Sequence, residues 1–334
     1  MGEHTYHLVM DAGGTKVAAA LYDEEFRLIS AHRVGSFRSF TTPDELIVQH
    51  MQQLIDELQL EGKVLQRLSG MIDARFTERL RHVCEIRQTV SNPELDLCLY
   101  AAQIFGDGAL ALAGTGTHAR LRLDGAFCGV GGYGALISDE GSGYWIGREA
   151  LNAAILDDQQ RGPATALTAM VLRTFGKEGD SLDRALFRFY ENGDHSPASL
   201  VASCCRLVSQ AADDGDAVAI DILRRAGSGL AGQMVAALNR HAPGKDLPLT
   251  ISGSVWRANA AFAQAFMETL HATYPEKSLI VPHFEPIVGA VLKHYYDEHG
   301  PLSDKICRHL EQQFSCYHFT VSPETLAIPH VIQP

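Results

Sequence analysis

The sequence lacks any apolar run that approaches the length of a membrane-spanning helix. Its first stretch, Met1 to Gly14, also lacks the basic flank and the cleavage site of a secretory signal peptide. Basic residues are also few, with 28 Lys and Arg against 40 Asp and Glu, which gives a net charge of −12. This deficit disfavours nucleic acid or an anionic membrane surface as the main partner, although an acidic protein can still bind ATP locally. These absences predict a cytoplasmic protein whose main partner is neither nucleic acid nor a membrane.

The sequence also lacks a recognisable cysteine pattern. The seven cysteines are odd in number and have no Cys-x-x-Cys spacing, so the sequence predicts neither a disulfide framework nor a zinc site. The neighbours Cys204 and Cys205 are expected to be partly buried thiols on a helix.

The length and overall composition are those of a globular protein. With 334 residues, 46% of them hydrophobic and 20% charged, the chain is long enough for two domains that each bury a core.

Glycine is concentrated between Ala111 and Gly147, where three glycine-rich turns surround the acidic pair Asp139 and Glu140. The apolar run from Leu110 to Ala113 has the length of a buried strand and stops at Gly114-Thr115-Gly116-Thr117. Glycine lets backbone N–H groups approach an anion closely, and the threonine hydroxyls add donors. The turn therefore suits a phosphate, although an ordinary hairpin turn would have the same composition.

Two further strand-to-glycine turns accompany it. The first strand, Leu8 to Met10, leads into Asp11-Ala12-Gly13-Gly14-Thr15-Lys16, an acidic residue, a glycine turn and a cation that suit Mg²⁺ and nucleotide phosphates. The apolar run Leu249 to Ile251 leads into Gly253-Ser254-Val255. Turns that are far apart in sequence can converge in space.

With these motifs the sequence resembles the N-acetylglucosamine kinase group of the sugar kinase, heat-shock protein 70 and actin superfamily. The same group includes the activator ATPases of benzoyl-CoA reductase and 2-hydroxyacyl-CoA dehydratase. The resemblance spans roughly residues 6 to 295 and is carried by Asp11 to Lys16, Ala113 to Thr117, Gly131 to Gly134, Asp139 to Ile146, Gly253 to Trp256 and Pro286 to Ala290.

The resemblance implies an α/β fold of two ribonuclease H-like (actin-like ATPase) domains with a nucleotide cleft between them. It implies an ATP-dependent sugar kinase that phosphorylates N-acetylglucosamine or a related amino sugar, with ATP and Mg²⁺ as cofactors. Asp11 would position the metal through water, and the Gly253 turn would pack on adenine and ribose. The residues expected to bind ATP are Asp11, Gly13, Gly14, Thr15, Lys16, Thr115, Gly116, Thr117, Gly253 and Ser254.

For the sugar, the resemblance points to Gly132, to Asp139 and to the loop before the first helix. Relatives usually carry an asparagine in that loop, whereas this chain has Arg38 and Ser39. An arginine suits an anionic or more extended ligand, although a solvated loop charge is an equal alternative. Glu140 is expected to cap the following helix.

The catalytic base in this family is an aspartate at the start of a helix. Counting back from Gly114 without gaps places Glu94 at that position, with Asp96 as the second candidate. Carboxylates in a first helical turn are also favoured by the helix dipole alone, so a purely structural role is the alternative.

The remaining pattern predicts the elements around these motifs. We expect an antiparallel meander over residues 8–34, and helices capped by Thr42 and Asn92 with Pro43 and Pro93 in their first turns. Polar residues interrupt residues 65–72, so no strand is predicted there. Helices are expected over 74–82, 145–156, 165–175, 180–190, 197–212, 216–240, 259–274 and 286–296, with Ser196 and Asp216 as caps.

The predicted domains are residues 1–112, completed by a helix near 288–300, and residues 113–287, with residues 301–334 as an accessory helix and strand. Two other functions stay open: a sugar or nucleotide sensor without catalysis, and an activator-type ATPase. The activators bridge a dimer with an iron-sulfur cluster through cysteines in glycine-rich motifs, and no cysteine here lies in one. A homodimer is left open.

Overall fold

The computed structural model of the protein describes residues 4–14, 16–39, 42–134, 137–191 and 197–333. The chain forms two compact units, the first from residues 1–105 and 282–319 and the second from residues 106–281 and 320–333. The predicted boundary after residue 112 would fall inside the strand Gly108–Ala113, which belongs to the second unit.

Runs of strands and runs of helices are mixed along the chain. The strands are β1 (Thr5–Ala12), β2 (Lys16–Tyr22), β3 (Leu28–Gly35), β4 (Val64–Met71), β5 (Glu85–Ser91), β6 (Gly108–Ala113), β7 (Thr117–Leu123), β8 (Ala126–Gly131), β9 (Leu249–Ser252), β10 (Leu279–Ile280) and β11 (Val331–Ile332). The helices are α1 (Asp44–Glu57), α2 (Ala74–Leu80), α3 (Glu94–Ala101), α4 (Gly143–Asp158), α5 (Ala166–Phe175), α6 (Leu182–Glu191), α7 (Pro197–Ser203), α8 (Cys205–Asp213), α9 (Ala217–His241), α10 (Ala261–His271), α11 (Pro286–His299), α12 (Asp304–Gln313) and α13 (Pro323–Leu326).

The first unit is built on a sheet with the strand order β3-β2-β1-β4-β5. Strands β1, β2 and β3 pair antiparallel, which confirms the predicted meander, and β4 and β5 continue the sheet in parallel with β1. One hydrophobic core includes Leu54 of α1 and Phe76 of α2, and another includes Val288 of α11 and Phe314. Because successive strand residues point to opposite faces, Val9 and Met10 of β1 belong to different cores.

Strand β4 corrects the prediction that residues 65–72 form no strand. Leu65 and Leu68 are fully buried, while Gln66 is exposed and Arg67 lies 3.8 Å from the carboxylate of Asp297. Gln66 and Arg67 therefore occupy positions where water or a counter-charge meets them, whereas Ser69 is buried. Because of these polar residues the sequence pattern did not indicate β4, which pairs with β1 on one side and with β5 on the other.

The predicted caps of two helices are also wrong. Pro43 and Pro93 themselves occupy the cap positions, with no side-chain capping bond, and the helices begin at Asp44 and Glu94. The side chain of Asn92 instead accepts a hydrogen bond from the backbone N–H of Gly70, at 3.3 Å. An extended backbone at the proline moves each helix start one residue further along the chain.

The second unit has a sheet with the order β11-β10-β9-β6-β7-β8. It repeats the plan of the first unit, with an antiparallel meander of β6, β7 and β8 followed by parallel strands. Trp256 is buried and donates from Nε1 to the carbonyl of Ala111 on β6, at 3.1 Å. The long helix α9 packs on this sheet and on α10.

Several predicted helices have different limits. The helix expected over 197–212 is interrupted at Cys204, and its expected cap, Ser196, lies outside the described residues. The helix expected over 259–274 begins at Ala261, after a short 3-10 helix at Ser254–Arg257. The cap predicted at Asp216 is confirmed, since its carboxylate accepts from the N–H of Ala219 at 2.9 Å.

The chain after residue 300 is divided between the units. Helix α12 belongs to the first unit, where Leu310 and Phe314 are fully buried. Strand β11 pairs in parallel with β10 in the second unit. Within the described part of the chain, no helix has the length and apolarity needed to cross a lipid bilayer.

Candidate active site

In the first unit, Asp11 lies near the end of β1, where the hairpin to β2 begins. Burial raises the pKa of its carboxyl from 3.8 to about 7, and the negative charge of Glu94 adds to this effect. Lys16 and Arg38 lower the pKa and Glu285 raises it. The charged form of Asp11 is therefore disfavoured by its surroundings, and a cation beside it would relieve that cost.

The two acidic neighbours of Asp11 lie at the starts of two helices. Glu94 is the first residue of α3 and is half-buried. Glu285 precedes α11; its N–H donates to the carbonyl of Tyr317 at 2.8 Å, and its carboxylate lies 3.2 Å from Arg33. Glu285 was not predicted from the sequence. Its position directly before the motif Pro286 to Ala290 was an available signal.

These carboxylates form an open site rather than a closed cage for Mg²⁺. Among the described residues, no group of three or more His, Cys, Asp or Glu side chains could enclose a metal ion. Magnesium in nucleotide sites usually takes one or two carboxylates and completes its shell with phosphate and water. Asp11, with its raised pKa, fits that type of site.

The loop after β3 is tied to the Asp11 hairpin. The Ser36 hydroxyl donates to the carbonyl of Gly13 at 3.4 Å and accepts from the N–H of Arg38 at 3.1 Å. Arg75 of α2 donates to the Ser39 hydroxyl at 3.1 Å. Arg38 and Ser39 are exposed, and the predicted phosphate contact Thr15 lies outside the described residues. Gly14 belongs to the same hairpin turn.

In the second unit, the turn between β6 and β7 contains Thr115 and Gly116. The turn is closed by a hydrogen bond from the N–H of Gly114 to the carbonyl of Gly116, at 2.9 Å. Gly253 has a φ of 102°, and a Cβ on it would lie 2.2 Å from the carbonyl oxygen of Ala113. Two of the predicted glycine turns are thus in contact, with Ser254 directly after the second, and only glycine permits this approach.

Asp139 packs against the same turn. Its side chain is 4% exposed, and a Cβ on Gly116 would lie 2.7 Å from Oδ2. Burial raises the pKa of this carboxyl, opposed by hydrogen bonds from the backbone N–H groups of Gly134 and Thr117. Oδ1 is buried without a hydrogen-bond partner among the described residues. An unsatisfied buried acceptor of this kind suits a hydroxyl donor from a ligand.

Glu140 does not cap the next helix, contrary to prediction. Ser142 takes that role, because its hydroxyl accepts from the N–H of Trp145 at 3.0 Å. The backbone carbonyl of Glu140 is instead held by the Thr117 hydroxyl at 3.1 Å and by the amide of Gln233 at 3.3 Å. No motif in the sequence pointed to Gln233, which lies 93 residues further along the chain than Glu140.

Gly132 follows β8 and has a φ of 77°. A Cβ at this position would lie 3.0 Å from the guanidinium of Arg120 and 3.3 Å from the Cβ of His118. Asp96, the second candidate base, is half-buried in α3 of the first unit.

Each unit therefore presents a hairpin turn with glycine and a carboxylate of raised pKa. In the first unit the carboxylate has acidic neighbours, which favours a cation. In the second unit it has backbone donors on one side and an unpartnered oxygen, which favours a hydroxyl group. Phosphate-bearing and hydroxyl-bearing ligands are the chemistry that these groups can hold.

Comparison with known proteins agrees with this chemistry. The family model described as the BadF/BadG/BcrA/BcrD ATPase family matches residues 10–293. An N-acetylmuramic acid/N-acetylglucosamine kinase from Clostridium acetobutylicum is 25% identical over 307 residues, which cover 86% of this chain and 97% of that protein.

Solved structures share the fold. A protein from Chromobacterium violaceum that was provisionally assigned as an N-acetylglucosamine kinase superposes with a TM-score of 0.63 at 21% identity, covering 87% of this chain and 98% of its own. A glucokinase of the ROK family from Streptomyces griseus, in complex with glucose and AMPPNP, gives a TM-score of 0.51 at 17% identity, with coverages of 86% and 97%. The ribonuclease H-like α/β fold of actin-like ATPases and sugar kinases, predicted from the sequence, is confirmed.

Proposed function

Because the chain belongs to the BadF/BadG/BcrA/BcrD ATPase family, we propose that it is an ATP-dependent kinase of N-acetylglucosamine or a related amino sugar. The observation that carries the proposal is the contact between Asp139 and the Gly116 turn. It brings a buried acceptor suited to a sugar hydroxyl against a turn suited to phosphate. The C. acetobutylicum relative, whose name states a kinase of amino sugars, supports the same reading.

The reaction would be a direct in-line transfer of the γ-phosphate to a sugar hydroxyl, with ADP as the leaving product. In the first unit, Glu94 would accept the proton of the attacking hydroxyl, and Asp96 is the alternative base. In the second unit, Asp139 would accept a hydrogen bond from a neighbouring hydroxyl and so orient the sugar, with Gly132 leaving room for it.

We propose that the two units act as the two domains of the kinase. Asp11 would hold Mg²⁺ through water, and bound Mg²⁺ would neutralise charge on the phosphates. Lys16 and the backbone of the Gly13 and Gly14 turn would contact phosphate in the first unit. In the second unit the turn residues Thr115, Gly116 and Thr117 would do the same, and Gly253 and Ser254 would contact the nucleoside.

The test is ADP release from Mg·ATP in the presence of a panel of sugars. The panel contains N-acetylglucosamine, glucosamine, N-acetylmuramic acid, an anhydro-muropeptide sugar and glucose, each assayed beside a reaction without sugar. We expect release that depends on an amino sugar, with a phosphorylated sugar as the second product. Asp139→Asn serves as the matched variant, and its KM for the sugar should rise.

Two results would replace the proposal. ATP hydrolysis that is the same with and without every sugar would indicate an activator-type ATPase. Binding of an amino sugar without any ADP release would indicate a sensor. Both alternatives are read from the same assay together with a sugar-binding measurement.

A further inference from the structure

The backbone of Asp139 has a conformation that needs support. Its φ is 68°, in the left-handed region that residues other than glycine seldom adopt. Its carboxylate is buried and one oxygen has no partner among the described residues. Strain and buried charge of this kind cost free energy and persist only where neighbouring groups fix the geometry.

Gln233 of α9 is one of the groups that fix it. Its side chain is 9% exposed, and its Nε2 donates to the backbone carbonyl of Glu140, the residue next to Asp139, at 3.3 Å. The same carbonyl accepts from the hydroxyl of Thr117, which belongs to the glycine turn, at 3.1 Å. One carbonyl thus joins α9, the turn and the Asp139 segment.

The other end of the Gln233 amide lies over Gly131. A Cβ on Gly131 would be 2.2 Å from Oε1, and the φ of Gly131 is 81°, so only glycine fits here. Oε1 is buried and has no hydrogen-bond partner among the described residues. A buried amide oxygen without a hydrogen bond costs free energy, so packing alone would favour an apolar side chain at this position. We therefore look for the role of Gln233 in the hydrogen bond that its Nε2 donates.

We propose that Gln233 is a positioning residue for sugar binding: it holds the Glu140 carbonyl, and through it the carboxylate of Asp139, in the orientation that receives the sugar hydroxyl. The inference rests on the proposed kinase function and adds to it a residue outside every glycine motif. Gln233 itself need not touch the sugar.

The experiment compares Gln233→Met with Thr269→Val. Methionine keeps the length of glutamine but cannot donate to the Glu140 carbonyl. The control removes a hydrogen bond of 3.1 Å between Thr269 of α10 and Ser228 of α9, a bond that involves no residue of the turn. We expect Gln233→Met to raise KM for the amino sugar by about tenfold, with KM for ATP changed by less than about threefold. The control should change neither KM.

A double-mutant cycle with Asp139→Asn shows whether Gln233 acts through Asp139. Sugar affinity, measured by calorimetry, should fall in each single variant, and Gln233→Met should add little in the Asp139→Asn background because coupled residues are not additive. Fully additive losses would overturn the proposal. So would an unchanged KM for the sugar in a folded Gln233→Met protein.

Hydrogen exchange without substrate separates this inference from the proposed function. Peptides that contain residues 137–142 should exchange faster in Gln233→Met than in wild type, whereas Thr269→Val should match wild type in those peptides. If wild-type protein phosphorylates no sugar, the proposed function fails, and with it the assignment of Gln233 to sugar binding. If wild type is active and exchange at residues 137–142 is the same in all three proteins, only the role of Gln233 fails.

Discussion

Asp11 and Asp139 both have raised pKa values, with burial as the main cause, yet their surroundings differ. Asp11 has the negative neighbours Glu94 and Glu285, so a metal ion would stabilise its charged form. Asp139 accepts from two backbone N–H groups and keeps one oxygen without a partner in the described residues. The first environment suits a cation and the second suits a neutral hydroxyl donor.

At the residue scale, we predict that Glu94→Gln lowers kcat while nucleotide affinity is retained. The amide keeps the size of the side chain but cannot accept a proton, and general-base catalysis typically contributes about 10² to 10⁴ in rate. Steady-state kinetics with the sugar found in the panel assay would measure the change.

Asp96→Asn is the matched control, because it alters a carboxylate in the same helical turn. It should reduce kcat much less than Glu94→Gln. If Asp96→Asn removes turnover and Glu94→Gln keeps it, the base is Asp96. If neither change matters, this helix start has only a structural role.

At the element scale, α3 reaches its position by close packing on α11. A Cβ on Gly289 of α11 would lie 2.1 Å from the carbonyl oxygen of Leu97 and 2.9 Å from the nitrogen of Ala101. Both contacts are with backbone, which cannot give way as a flexible side chain can. The approach of the two helices therefore depends on glycine at this position, and the same packing fixes the helix that begins at Glu94.

Gly289→Ala should consequently lower both stability and kcat. Overpacking of this kind typically costs about 1–3 kcal/mol, and any shift of α3 moves Glu94. Urea unfolding and kcat would be measured beside Gly232→Ala, a glycine inside α9 whose Cβ would meet nothing within 4 Å. That control should gain about 0.5–1 kcal/mol from helix propensity. Wild-type stability in Gly289→Ala would contradict the packing argument.

A second contact between elements joins β1, β2 and α11 through buried polar rings. Tyr22 hydrogen-bonds to Nδ1 of His294 at 2.8 Å, and the His7 ring centroid lies 4.5 Å from that of His294. Burial lowers the pKa of His7 from 6.5 to about 4, and burial also lowers the pKa of His294. The charged groups that act on His7 besides His294 are Glu298, Glu24 and Arg67.

The lowered pKa of His7 predicts a loss of stability in acid. Between pH 6.5 and about 4 the unfolded chain binds a proton that the folded protein does not, so the free energy of unfolding falls as the pH falls. The contribution of His7 is at most roughly 3 kcal/mol. In His7→Phe, urea unfolding across this range should show a smaller loss than wild type. An equally steep loss would show that His7 is not the group responsible.

At the scale of the whole molecule, the two units repeat one plan. Each has an antiparallel meander followed by parallel strands, and the first hairpin of each, β1–β2 and β6–β7, carries a candidate phosphate turn. Any ligand that binds only the folded state stabilises the entire chain, by about 2.7 kcal/mol at a hundred times its Kd. Ligand binding can therefore be followed as a global property.

We predict that Mg·ATP raises Tm of the wild-type protein and that Asp11→Asn loses this shift. The substitution should raise Tm of the ligand-free protein, because it removes a buried charge that Glu94 and Glu285 repel. Differential scanning calorimetry with ATP plus EDTA as the control would measure both effects. A full Mg·ATP shift in Asp11→Asn would exclude Asp11 from the metal site.

The sequence by itself determined where the turns lie, because apolar runs that stop at glycine are local features. Together these motifs carried the resemblance from which the class of the fold was predicted. Local features failed where a neighbour distant in sequence decides the outcome, as in β4, where the charge of Arg67 lies near the carboxylate of Asp297 of α11.

Only the tertiary structure decided which motifs meet. The contact of Gly116 with Asp139, the support of the Glu140 carbonyl by Gln233 and the influence of Glu285 on Asp11 all join residues from separate elements. A pKa depends on burial and on charges around the group in space, neither of which is encoded by spacing along the chain. The candidate residues could be named from sequence, but their charge states and supports follow from the folded geometry.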